Sequence, residues 1–315
     1  MSERTIAVMG ENLVDLLVDP EHHVTAVVGG GPLNVARTIG RLGGDVHFVS
    51  GVSADAFGAF VREALDDSGV QLALTTTLDQ PTTLAIVEID QPDPRYHFHL
   101  SETASFALDR EATIQAIAQV TPLVAIYFGT LGLVVEPMAS LGEMIIMGIP
   151  RDTLVVIDPN CRPSAVVDRD GFCDRVARLC TRADVVKVSR DDLDFLFPES
   201  EPLAAARRVV DLGARCVILT DGARPVTVVT EHFELTAEVA PTVVIDTIGA
   251  GDALVGGFLT WWTGHALTRD DLHDATMLAA AVAAAIDISR LTCQRAGATP
   301  PRRDDVVDLA GWRWL

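Results

Sequence analysis

Asp246-Thr247-Ile248-Gly249-Ala250-Gly251-Asp252 sets a glycine-rich turn between two apolar runs. Thr242 to Ile245 reads as a strand and Ala253 to Trp262 as a helix. The first turn of a helix leaves backbone N–H groups without partners, and the aligned peptide dipoles favour negative charge there. Gly249 and Gly251 let the backbone approach a bound anion with no Cβ in the way. Asp252 adds a carboxylate beside that anion hole, where it can take a proton from a hydroxyl attacking a phosphate. A plain glycine turn with an acid in the first helical turn has the same spacing. Asp158-Pro159-Asn160-x-Arg162-Pro163 closes another strand-like run. Ligands of open α/β sheets gather at the carboxyl ends of strands, and Arg162 there can steady phosphate or substrate charge. Lys187 also ends a strand-like run, and it is the only lysine among 24 basic residues. Lysine offers a compact point charge that arginine copies poorly. Chance survival in an arginine-rich composition is the other reading.

These residues need a scaffold that brings strand ends to helix starts. Thr5 to Gly10, Val46 to Val49, Leu123 to Phe128, Leu154 to Asp158, Val185 to Val188 and Cys216 to Thr220 read as strands. Pro32 to Leu42, Ala56 to Leu65, Arg110 to Gln119, Pro137 to Met147, Gly171 to Thr181 and Leu203 to Leu212 read as helices. This alternation predicts a parallel sheet with helices on both faces. Leu72 to Leu100 breaks the rhythm. Thr83 to Ile89 and Tyr96 to Leu100 read as a hairpin joined by Asp90 to Arg95, and Leu13 to Val18 and Val24 to Val28 add strands to a small separate sheet. A second hairpin is expected over Val226 to Val239, and a long, largely buried helix over Asp270 to Ile288.

Asp-Thr-x-Gly-Ala-Gly-Asp resembles the C-terminal motif of the ribokinase-like, or PfkB, sugar kinases. Gly29-Gly30-Gly31-Pro32-Leu33-Asn34 resembles their N-terminal motif, and Gly10-Glu11-x-x-x-Asp15 the segment that carries their sugar-binding aspartate. Asp158-x-Asn160-x-Arg162 is similar to the fructokinase pattern, Thr220-Asp221-Gly222 to a nucleotide-binding turn, and Cys293 to Pro300 to the segment bordering the adenine pocket. The resemblance implies an α/β fold of three α/β/α layers on a mostly parallel sheet. One kinase domain would span 1–315, with a small β-sheet lid formed by about 13–28 and 72–104. It implies ATP-dependent phosphorylation of a sugar hydroxyl, with Mg²⁺ carried on ATP and K⁺ as a further ion. Asp252 would be the base, with Gly249, Ala250 and Gly251 holding the phosphoryl charge. Asp15, Gly30, Gly31, Asn34, Phe98, Thr103, Arg162 and Asp252 would meet the sugar. Asn160, Lys187, Thr220, Gly222, Gly249, Gly251, Cys293 and Gly297 would meet the nucleotide, and Asp246 a monovalent cation. Three departures stand out. Ser189 and Asp192 replace the family's Asn and Glu after Lys187. Arg224-Pro225 stands where a second nucleotide-loop glycine is common. His99 to Ala104 lacks an arginine that many fructokinases carry. A fructokinase-like activity is expected. A 2-keto-3-deoxygluconate, ribose or nucleoside kinase, and a non-catalytic sugar-sensing homologue, are the alternatives. A homodimer through the lid is expected as well.

Composition narrows the remaining classes. A formal net charge of −20 opposes binding to nucleic acid or anionic membrane. Met1 to Arg4 shows no signal-peptide pattern, and the apolar run Met277 to Ile286 is too short to span a bilayer. Five cysteines without a C-x-x-C pair fit a reduced, cytoplasmic protein. There is no G-x-x-x-x-G-K-[ST], no G-x-G-x-x-G and no H-E-x-x-H, so P-loop, nicotinamide-dependent and zinc chemistry lack their fingerprints. His97 and His99 share one strand face, where a hairpin surface rather than a metal is expected.

Overall fold

A computed structural model describes residues 4–88 and 95–314. The strands are β1 (Thr5–Met9), β2 (Leu13–Val18), β3 (Val24–Gly29), β4 (Val46–Ser53), β5 (Thr75–Leu78), β6 (Leu84–Glu88), β7 (Arg95–His99), β8 (Leu123–Gly129), β9 (Leu154–Asp158), β10 (Val185–Ser189), β11 (Cys216–Thr220), β12 (Val226–Thr230) and β13 (Glu234–Ala237). The helices are α1 (Gly31–Arg41), α2 (Ala56–Asp67), α3 (Arg110–Ala118), α4 (Met138–Gly148), α5 (Arg169–Cys180), α6 (Arg190–Leu196), α7 (Pro202–Asp211), α8 (Ala250–Gly264) and α9 (Ala275–Cys293).

Nine strands form one sheet in the order β13-β12-β11-β10-β9-β8-β1-β4-β5. Its pairs are parallel except where β12 joins β11 and β13. Side chains alternate across the central strands. Ile6, Val8, Tyr127 and Val156 enter one core with α1, α2, α8 and α9. Ala7, Met9, Ile126 and Val155 enter the other with α3, α4, α5 and α7. Apolar residues on both faces are what a parallel sheet covered by two helical layers requires. The strand order reverses between β1 and β8, which is where ligands collect in open α/β sheets. A second sheet, β3-β2-β6-β7, stands apart from the first.

Four expectations change. The small sheet is narrower than 72–104 suggested, because Thr75–Leu78 pairs with Ser50–Ser53 at the edge of the large sheet. The Thr75 hydroxyl also donates to the Phe48 carbonyl. Thr242 to Ile245 is not a strand. It runs past the last strand with no strand to pair with among the described residues, its Ile245 and Asp246 N–H groups donate to the Cys293 carbonyl, and Val243 and Ile245 are 80% and 64% exposed. The long helix starts at Ala275 rather than Asp270, because the Asp274 side chain caps it by accepting from Thr276 and Met277 N–H. It reaches Cys293 and, at 19 residues, is long and apolar enough to cross a membrane by length and composition. Here it packs along α8, with 44% of its most apolar window buried. Arg190–Leu196 adds a helix that the apolar pattern did not reveal. The expected signal-free start at Met1 to Glu3, the strand end at Ile89 and most of the Asp90 to Arg95 turn lie outside the described residues.

Asp184 secures the end of the sheet opposite the strand ends that carry the motifs. It is fully buried, accepts from Val155 N–H at 2.8 Å, and meets Arg182 at 3.2 Å and Arg269 at 2.8 Å, with Arg215 at 3.6 Å. Removing one side of a buried charge cluster strands the other. Asp184→Asn is expected to lower the unfolding free energy by about 3 kcal/mol, read as a lower urea midpoint at unchanged slope.

Candidate active site

Gly249, at φ 76, takes the left-handed conformation that caps α8. The first turn of α8 then presents Gly251 and Asp252. Ala250 N–H donates back to the Thr247 carbonyl at 3.2 Å, so this member of the expected trio is occupied within the turn. For Gly251 N–H there is no acceptor among the described residues. Beneath Gly251 lies Lys187, 4% exposed in the middle of β10; a Cβ added to Gly251 would stand 3.0 Å from its Nζ. The same Nζ is 3.3 Å from Asp158 Oδ2 at the end of β9. Burial works to lower the Lys187 pKa, but the carboxylates of Asp158, Asp192 and Asp252 outweigh it and hold the ammonium charged. The one lysine therefore puts a fixed positive charge under the helix start, where the dipole already favours an anion.

Asp252 is 8% exposed. Burial raises its pKa, while a hydrogen bond from Asn34 and the charges of Lys187 and Arg162 draw it back down. Asn34 Nδ2 donates to Asp252 Oδ2 at 2.9 Å. This places Asn34 differently from a purely sugar-facing residue: its amide nitrogen holds the carboxylate. Its Oδ1 is buried with no partner among the described residues, and is free to accept from a hydroxyl.

The small sheet supplies the other wall. Asp15, Ala85 and Phe98 lie in one row across β2, β6 and β7, and Tyr96 stacks on Phe98 with ring centroids 5.9 Å apart. Burial pushes Asp15 up to about 6, and the charge of Arg162 pulls it back. Arg162 is exposed and folds its guanidinium over the carbonyls of Asn160 and Cys161. Asn160 is a non-glycine residue at φ 36, held there as its N–H donates to Asp158 Oδ1. Left-handed backbone of this kind persists where surrounding contacts enforce it. Gly30 and Gly31 form the entry to α1. Thr103 is buried, and its hydroxyl is engaged with Thr83 and the Leu100 carbonyl, so it anchors the chain below the lid instead of offering a group to a sugar. His97 turns toward Glu88 at 3.4 Å, and neither His97 nor His99 joins a metal-sized cluster among the described residues.

On the opposite side, Thr220 ends β11, and Gly222 and Gly297 both have positive φ and open space where a side chain would stand. Asp246 ties two loops together: Oδ1 accepts from Ile248 N–H at 3.0 Å and Oδ2 from Gly297 N–H at 2.9 Å. Cys293 contributes its carbonyl to the same junction. Asp192 is engaged by protein donors. One oxygen accepts from Ser189 N–H and hydroxyl, and the other from Cys161 N–H at 2.6 Å. The shorter Ser189 and Asp192 thus cap α6 and clamp the Asp158–Arg162 loop. Glu11 and Thr130, absent from the expected site, lie fully buried at the switch point between β1 and β8. In the sequence Glu11 stands in the Gly10-Glu11-x-x-x-Asp15 motif just after a strand, but no role was read for it.

Residues 5–303 match the family model of the pfkB family carbohydrate kinases. A fructokinase of Vibrio alginolyticus is 30% identical over 264 residues, covering 82% of this chain and 84% of that protein. The crystal structure of a fructokinase with bound ATP from Xylella fastidiosa superposes with a TM-score of 0.88 at 25% identity, over 99% of this chain and all of that one. A Vibrio cholerae fructokinase double mutant, in its fructose, ADP and potassium ion bound form, gives 0.82 at 26% identity over 94% of each chain. The chain belongs to the pfkB family of carbohydrate kinases. It is a phosphotransferase, a sugar kinase of the fructokinase-like type.

Two outcomes follow from this geometry. Asp252→Asn keeps the fold and lowers turnover by at least ~10²-fold, the scale of a positioned base; turnover near wild type would remove Asp252 from that role. Lys187→Arg puts a wider, planar cation where only 3.0 Å separates Nζ from a Cβ at Gly251. It is expected to raise KM for ATP with little change in melting temperature, and unchanged ATP kinetics would leave the lone lysine without a function.

Proposed function

We propose that this chain transfers the γ-phosphoryl group of ATP to a hydroxyl of fructose. The observation that carries the reading is a buried carboxylate, Asp252, fixed by Asn34 beside a helix start that Lys187 backs with positive charge. The sugar hydroxyl oxygen attacks the γ-phosphorus, the bond to the bridging oxygen breaks, and ADP leaves. Asp252 takes the hydroxyl proton as the new bond forms. Gly251 N–H and the charge of Lys187 stabilise the phosphoryl oxygens in a site that excludes water. Asp15, Asn34 Oδ1 and Arg162 orient the sugar, and Tyr96 and Phe98 cover it from the lid. The open surfaces at Gly222 and Gly297 suit a nucleotide base and ribose. Mg²⁺ is assigned to the phosphates of ATP, and Asp192 is held in its turn by Ser189 and Cys161. Asp246 keeps a lone pair on each oxygen and would hold K⁺ at the loop junction.

We also infer a single kinase unit over 1–315, a homodimer through the lid and a cytoplasmic setting. The lid's second face carries Leu16 and Ile86 beside His97, and a small sheet with an apolar face must cover something or be covered. All five cysteines are free. Light scattering at micromolar concentration is expected to give twice the 33.7 kDa chain mass; a monomer would sink the dimer.

ADP release with MgATP and fructose, ribose, 2-keto-3-deoxygluconate and a purine nucleoside tests the substrate. Fructose is expected to give the highest kcat/KM, by at least ~10-fold, the scale of hydrogen-bond mismatches in a polar pocket. Any other sugar in first place would displace it.

A further inference from the structure

We propose that Glu11 is a positioning residue: its buried carboxylate locks the sugar-facing glycine loop, and through it Asn34, in register with Asp252. The proposal rests on the sugar-kinase reading of the site. Glu11 follows β1 and is 1% exposed. Its Oε1 accepts from Gly31 N–H at 3.1 Å, and Oε2 from Gly132 N–H at 3.1 Å. The Thr130 hydroxyl donates between both oxygens, at 2.5 and 2.6 Å. Gly31 opens α1, while Thr130 and Gly132 belong to the turn after β8. One carboxylate therefore bridges the point where the strand order reverses.

The clamp reaches the base in one helical turn. Gly31 and Asn34 are three residues apart, Asn34 N–H donates to the Gly30 carbonyl at 2.9 Å, and Asn34 Nδ2 reaches Asp252. The fit at Gly31 is close, since a Cβ there would stand 2.5 Å from Thr130 Cγ2. Thr130 sits at φ 53, a strained position for a β-branched residue. No cation pairs with Glu11 among the described residues. Burial pushes it up to about 7, against hydrogen bonds from Thr130, Gly132 and Gly31. A buried, unpaired carboxylate is costly, and such groups concentrate where a site needs them.

Glu11→Gln keeps the shape but turns one acceptor into a donor facing N–H or O–H groups. With MgATP and D-fructose as probes, KM for fructose is expected to rise by ~10-fold or more, the scale of small misplacements in a site. KM for MgATP stays within ~2-fold, because the groups that Glu11 holds belong to the sugar-facing loop and the turn after β8, and the variant stays folded at the assay temperature. Thr130→Val raises the fructose KM in the same direction, Thr130→Ser recovers most of it by restoring the hydroxyl, and the double variant with Glu11→Gln is no worse than Glu11→Gln alone. An unchanged fructose KM, or parallel rises in both KM values with a lower melting temperature, would overturn the proposal. Should Glu11→Gln fail to fold, the Thr130→Val and Thr130→Ser pair decides by the same criterion. A wild type that phosphorylates none of the sugars overturns the substrate reading instead. Hydrogen exchange in the unliganded protein then decides on Glu11. Lost protection confined to residues 31–35 in Glu11→Gln upholds the clamp, and unchanged protection rejects it.

Discussion

A hydrogen bond between residues 218 positions apart, from Asn34 on α1 to Asp252 on α8, holds the site together. It exists because two helices start side by side over the carboxyl ends of a parallel sheet. α1 and α8 pack closely along their length. Gly256 lies so near Thr38 that a Cβ would stand 2.5 Å from Thr38 Cβ. That close approach brings the second turn of α1 level with the first turn of α8. The sheet order then fixes what lies beneath. β8, β9 and β10 end in Gly129, Asp158 and Ser189, and Lys187 comes up from β10 to fill the space under Gly251.

The electrostatics are local. A chain with net charge −20 repels polyanions at a distance. Within the site, a helix start and one shielded lysine reverse the sign over a few ångströms. The cost appears in the neighbouring acids: burial raises Glu11, Asp158 and Asp252 together. Each is tethered by a different partner. Glu11 is held by backbone and hydroxyl donors, Asp158 by Lys187, and Asp252 by Asn34. The three carboxylates therefore carry three separate duties instead of competing for one proton.

Much of this was legible in the sequence. The alternation of strands and helices placed the large sheet, and the strand ends located Asp158, Lys187 and Thr220. The glycine turn before Asp252 marked the helix start that leaves Gly251 N–H without an acceptor among the described residues. What the sequence concealed depended on contacts between distant segments. Thr242 to Ile245 has the β-branched composition of a strand, but no neighbouring edge for it to pair with. Thr75–Leu78 looked like part of a lid until the edge of β4 claimed it. Asn34 and Thr103 had the right chemistry for a sugar, yet Asn34 spends its amide nitrogen on Asp252, and Thr103 spends its hydroxyl on Thr83. Asp192 was an altered ligand position in the sequence. In the fold its carboxylate accepts from Ser189 and Cys161. Glu11 was visible as a motif residue but its role was not, because its partners at Gly31, Thr130 and Gly132 come from segments up to 121 positions away.

In the proposed mechanism Asn34 tunes Asp252 as the base, and the pH dependence of kcat at saturating sugar tests this directly. Asp252 must be ionised to accept the proton, so kcat falls as pH drops through its pKa. The Asn34 N–H bond favours the ionised form; without it, burial pushes the carboxyl higher. In Asn34→Ala the acid limb is predicted to move to higher pH by about one unit, the equivalent of one charge-assisted hydrogen bond. An acid limb that stays where it is in the wild type, or moves to lower pH, would contradict the account.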